Sequence, residues 1–156
     1  MSIFSKIQNY FKPTPDLNHS KFGELIYDGV GDPDDMWQKL DDIDFKPING
    51  KIGLTVLAGP NGPTDNHVKF FEEFEKNYNT ILNKYSEALK TEYEQWFNKP
   101  PKNDINNVFN FVALTIPEEG NINNEWSISF YPVEDEEHLF TLYIKNGEPA
   151  GCSVDG

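Results

Sequence analysis

Eleven large apolar side chains, Phe70, Phe71, Phe74, Tyr78, Ile81, Leu82, Tyr85, Leu89, Tyr93, Trp96 and Phe97, follow one another mostly at three- and four-residue steps. No glycine or proline interrupts residues 65–98. Residues three and four apart share one face of an α-helix, so the spacing predicts an amphipathic helical block of roughly eight turns. Thr64 or Asp65 is the expected N-cap, and Pro100-Pro101 ends the block. Asn77, Asn79 and Thr80 are poor helix formers, so the block is either one long bent helix or two helices meeting near Asn79. An aromatic face this long has to be buried. At this spacing it reads as core rather than as a cofactor box.

The surface that buries it is expected from strands on either side. Phe22 to Tyr27 reads as a first strand. Ile43-Asp44-Phe45 then leads to Asn49-Gly50, a strong hairpin signal. A two-residue turn there pairs Phe45 with Leu54 and Ile43 with Val56. Gly59-Pro60-Asn61-Gly62-Pro63 stops the second arm. After the helical block and a loop at 103–107, Val108 to Ile116 is a strand, and Trp126 to Phe130 alternates with Ser127 and Ser129 facing outward. Leu139 to Lys145 and Ala150 to Val154 form a terminal hairpin. A three-residue loop, Lys145-Asn146-Gly147, with Gly147 left-handed, sets Phe140 opposite Cys152 and Leu142 opposite Ala150. Pro149 cannot donate to a ladder, which makes the last strand an edge. The expected fold is α+β: an antiparallel sheet of six to seven strands with the helical block on one face, in the order β-β-β-α(α)-β-β-β-β. Residues 22–156 form this domain. Residues 1–21 comprise an amphipathic helix bearing Ile3, Phe4, Ile7, Tyr10 and Phe11, then a Pro13-Thr14-Pro15 linker running to Lys21. That helix is expected to dock on its own subunit or on a second one, which allows a homodimer.

Charge narrows the function. The 156 residues carry 26 acids against 13 bases, a net charge of −13, and every base is lysine. Without arginine there is no bidentate fork for guanine or phosphate, and the net field repels nucleic acid. A basic protein partner is favoured, because complementary charge raises association rates. No apolar run is long enough to span a bilayer, and the N-terminus lacks a secretory segment, so the cytoplasm is the expected compartment and no membrane partner is expected.

The acidic groups invite chemistry that their spacing does not complete. Asp32-Pro33-Asp34-Asp35 and Asp41-Asp42-Ile43-Asp44 lack the glycine and the distal glutamate of a calcium loop, and Asn121, Asn123 and Glu125 also lack the glycine. His19, His67 and His138 are not spaced as a zinc pair. Cys152 alternates with Ala150 and Val154, which turns it toward the core as an inert thiol. No nucleophile elbow or phosphate loop is present. No metal and no cofactor are expected. Glu134-Asp135-Glu136-Glu137 reads as a solvated turn. An enzyme remains an alternative: a carboxylate-based hydrolase, if segments 28–44 and 134–137 converge on one pocket.

The Asn49-Gly50-Lys51-Ile52-Gly53-Leu54 turn and strand, the aromatic block, and the ending His138-Leu-Phe-Thr-Leu-Tyr-Ile-Lys-Asn-Gly-Glu-Pro149 together resemble small bacterial α+β domains of unassigned function. Similar acidic domains occur among immunity proteins of polymorphic toxin systems. The resemblance implies a non-catalytic protein that binds another protein, and it supplies no site residues. The candidate interface from the residues themselves is Asp32, Asp34, Asp35, Asp41, Asp42 and Asp44, with Trp37 and Leu40 packing inward around it and Trp37 as its possible aromatic anchor.

Overall fold

The computed structural model describes residues 14–29 and 35–156. The N-terminal stripe, Ile3 to Phe11, and the predicted interface residues Asp32 and Asp34 lie outside the described residues. Nine strands are described: β1 (Leu17–His19), β2 (Gly23–Asp28), β3 (Met36–Lys39), β4 (Ile43–Phe45), β5 (Gly50–Leu57), β6 (Phe109–Ile116), β7 (Trp126–Pro132), β8 (Leu139–Lys145) and β9 (Glu148–Asp155). Between β5 and β6 come the long helix α1 (Asp65–Phe97) and a single turn, α2 (Ile105–Val108).

The strands form one sheet in the order β1-β2-β3-β5-β6-β7-β8-β9, with β4 pairing beside β3 on β5. This is an α+β fold, with two corrections to the expected sheet. It has nine strands rather than six or seven, and it is mixed rather than antiparallel. β5 and β6 run parallel, Leu54 beside Leu114 and Val56 beside Ile116. Parallel neighbours need a long crossover, and α1 supplies it. The two strands that sequence reading passed over are short. β1 lies in the supposed linker and pairs Leu17 with Leu25. β3 lies in the acidic stretch and pairs Trp37 with both Tyr27 and Val56. As expected, β9 is an edge.

α1 is one uninterrupted helix of 33 residues. Asn77 does not break it, because its side-chain amide donates to the Glu73 carbonyl at 2.9 Å and to the Glu73 carboxylate at 3.1 Å. The adjacent Tyr78 ring packs edge-on against Phe45 and Phe74 and leans on Phe111. Burying one such ring is worth more than a few tenths of a kcal/mol of local propensity, so about 2 kcal/mol of packing decides the question. The helix lies across the strands. Phe71 meets Phe22 beside β2, Phe74 meets Phe111 on β6 and Trp126 on β7, and Phe97 meets Phe140 on β8. These rings form a continuous aromatic core.

Both Asn-Gly turns differ from expectation. Around Asn49-Gly50 the chain makes a 3-10 turn at Lys46–Ile48 with Pro47 inside it, and Asn49 alone is left-handed, at φ 50°. The ladder therefore pairs Phe45 with Gly50 and Ile43 with Ile52, four residues away from the expected register. The displacement is even, so each side chain keeps its face, and Phe45 and Ile52 are fully buried. At the terminal hairpin Asn146 (φ 52°) and Gly147 (φ 73°) are both left-handed, a two-residue turn rather than the expected three-residue loop. The extra residue enters as a bulge at Pro149-Ala150, after which Leu142 faces Cys152 and Phe140 faces Val154.

Candidate functional site

The predicted interface divides on folding. Trp37 is not available as an aromatic anchor: it is 5% exposed, leans on the Tyr27 ring, and donates its indole N–H to the Gly59 carbonyl at 3.0 Å. Its place in β3, facing the helix side of the sheet, buries it. Asp35 is also buried, beside Tyr27, whose ionisation is pushed up by burial first and by Asp35 second. Asp41, Asp42 and Asp44 are exposed in the β3–β4 segment, where Asp44 lies 3.8 Å from Lys51 across the hairpin.

The 134–137 carboxylates are engaged elsewhere. Glu134 accepts hydrogen bonds from the Tyr93 hydroxyl and, at 2.8 Å, from Lys99, which fixes the β7–β8 turn to the C-terminal end of α1. Along the sheet, β4 and the end of β7 are three strand spacings apart, roughly 14 Å. The two segments proposed for a hydrolase are thus held on different strands by different partners. Among the described residues, no three His, Cys, Asp or Glu side chains are grouped as a metal site would need.

What the fold does bring together is a surface at the last turn of α1. Trp96 is 45% exposed, whereas Trp37 and Trp126 are 5% and 2% exposed. Its ring leans on His138 at 4.9 Å between centroids and rests edge-on against Phe140. His138 Nδ1 faces both carboxylate oxygens of Asp135, at 2.8 and 2.9 Å. A carboxylate only accepts, so Nδ1 carries the proton of this pair. That hydrogen bond, with smaller help from the Glu137 backbone N–H, the His138 charge and the Trp96 indole, holds the Asp135 carboxyl below its usual range. Asp135 therefore stays anionic at the N–H edge of the Trp96 indole. The next two residues, Glu136 and Glu137, are exposed. The result is an exposed indole, fixed in place by a histidine–aspartate pair and bordered by carboxylates.

Sequence reading placed Trp96 in the core stripe, because it is three residues past Tyr93 and next to Phe97. Its exposure depends on where the helix leaves the sheet, and the periodicity carries no signal of that. Cys152 sits as expected, packed against the core, and burial first and Glu92 second push its thiol up to about 12. No family model, curated protein or solved structure matches the chain.

Proposed function

We propose that this chain is a non-catalytic acidic binding protein, immunity-like in character, that holds a basic protein partner at the Trp96 surface. The observation that carries this reading is the exposed Trp96 beside the fixed, anionic Asp135. An indole face attracts lysine and arginine side chains, and adjacent carboxylates add a charged hydrogen bond to the same cation. Tryptophan is also the side chain most often found at the energetic centre of a protein interface. Asp41, Asp42 and Asp44 contribute in a different way. They lie on β4 and the segment before it, away from β8, against which Trp96 rests, and add to the long-range field that steers a cationic partner.

The test is direct because the other two indoles are buried. Titration with an arginine-rich peptide at low salt should change the fluorescence of Trp96, and high salt should reverse the change. Trp96→Ala, read by the anisotropy of a labelled copy of the same peptide because the variant lacks the reporting indole, should abolish binding while leaving the fold intact. Retrieval of a basic protein from the native host, at low but not at high salt, is the complementary experiment. An unchanged peptide response in Trp96→Ala would place the cation site elsewhere.

A further inference from the structure

Along the first half of α1, the helix and the loop between β6 and β7 enclose a groove of about 790 Å³. Phe70, Phe74 and Trp126 line it, and Ile122 on the loop, 52% exposed, is part of the same wall. It is within the size range of pockets that hold small ligands or one to three side chains of a partner.

Two observations say what fits. Asn66 and Asn121 also line the groove. Each side-chain amide offers a donor and an acceptor, the complement of a peptide unit. The charges at the groove are Glu73 and Glu119 against Lys69, so it leans acidic in a chain that is acidic overall. Glu119 is held there at φ 58°, ψ 9°, a left-handed conformation that non-glycine residues seldom adopt. The next residue, Gly120, is seated against the backbone of Asn66 and His67, which fixes the loop on the first turn of α1.

We infer that this groove seats a short segment of a basic polypeptide, with one apolar side chain on the Phe70–Phe74–Trp126 floor beside Ile122 and a lysine or arginine against Glu73 and Glu119. The sign of the flanking charge rests on the function proposed above, and the apolar anchor is independent of it. The groove and Trp96 lie toward opposite ends of α1.

Short labelled peptides test this by fluorescence anisotropy. One alternates lysine with leucine, one lysine with serine, and one glutamate with leucine. The lysine–leucine peptide should bind best and should lose about tenfold or more in affinity to Ile122→Asp, a surface change whose folding is checked by circular dichroism. The Glu73→Gln, Glu119→Gln double variant should weaken it by several-fold. Glu119→Gly should raise the melting temperature, because glycine accepts the left-handed backbone, while still weakening binding. A purely structural role for Glu119 would not produce that opposition. The inference is overturned if Ile122→Asp binds lysine–leucine as wild type does, if glutamate–leucine binds equally well, or if no peptide binds. Trp96→Ala separates the two sites. Loss of lysine–serine binding in that variant, with the Ile122 effect intact, supports both. Loss of all lysine–leucine binding there, with Ile122→Asp silent, sinks the groove alone. A silent Trp96→Ala with an active Ile122→Asp leaves the groove and sinks the Trp96 site.

Discussion

A histidine sits at each end of α1, His67 on the helix itself and His138 on the β7–β8 turn beside its last turn, and the two are used in opposite ways. At the N-terminal end His67 is 2% exposed. Its Nδ1 accepts the Thr64 backbone N–H at 2.9 Å, and its Nε2 faces the Leu57 carbonyl at 3.0 Å. Acceptance at Nδ1 leaves the proton on Nε2, so His67 is a neutral ring linking the end of β5 to the helix cap. It takes the place that glutamate or glutamine fills in a capping box. At the C-terminal end His138 is partly exposed, bonded to Asp135 and tilted against the Trp96 ring. The same residue type is a dry structural joint at one end and part of an open, charged surface at the other. The difference teaches that burial, rather than residue type, decides whether a histidine beside this helix is a closed joint or an open surface.

Four measurements would break or sharpen that contrast. The largest effect is expected at the N-terminal joint from Gly120→Ala. A Cβ there would overlap the Asn66 carbonyl and lie 2.8 Å from the His67 nitrogen, in a backbone at φ +63°. Overpacking against backbone together with left-handed strain should cost about 3 kcal/mol in urea unfolding. A loss below about 1 kcal/mol would mean that the loop does not bear on the helix start.

His67→Ala comes next, at about 2 kcal/mol, since it strips the partners from the Thr64 N–H and the Leu57 carbonyl. The same residue sets a pH dependence. Burial first, with His19 adding to it, lowers the His67 pKa, against opposing pulls from the Leu57 hydrogen bond and Glu119. The unfolded chain binds a proton near the ordinary value of 6.5 and the folded chain resists it. The contribution of His67 is therefore complete above about pH 6.5 and is lost as pH falls toward the lower folded pKa. Denaturant midpoints measured downward from neutral pH should decline more steeply in the native protein than in His67→Ala. Parallel curves would show that His67 is not the group responsible.

The C-terminal end should respond weakly in stability and strongly in binding. Trp96→Ala should cost about 1.5 kcal/mol, well below the roughly 3–5 kcal/mol of removing a fully buried indole, because nearly half the residue is already in water. A loss of about 3 kcal/mol or more would mean that Trp96 is a core residue, and the contrast between the ends would fail. The smallest effect is that of Asp135→Asn. The depressed carboxyl pKa of Asp135 stabilises the fold above the ordinary value of 3.8, and that contribution is lost as pH falls below it. The variant should be slightly less stable than the native protein near neutrality, and the two curves should converge as pH falls below 3.8. Curves that stay parallel through that range would show that Asp135 is not the group responsible.

How much of this was legible from the chain itself is clearest in the two Asn-Gly pairs. Both mark hairpins, and sequence reading found both. Only the pair at 146–147 makes a two-residue turn. At 49–50 the preceding Pro47 fits the first turn of a 3-10 segment, so the chain reverses earlier and Gly50 begins the strand. The order of apolar and polar residues specified which face of the β4–β5 hairpin is buried, because alternation is a local property and an even slip preserves it; in β7 it did not, since Ser127 and Ser129, expected to face outward, are both buried. It likewise specified the amphipathic helix and the acidic field. Tertiary structure decided the rest. The parallel β5–β6 contact, the burial of Trp37 and the exposure of Trp96 depend on which strands lie under which part of the helix. Such contacts join residues far apart in sequence, and their free energy comes from surfaces that meet only once the chain has folded.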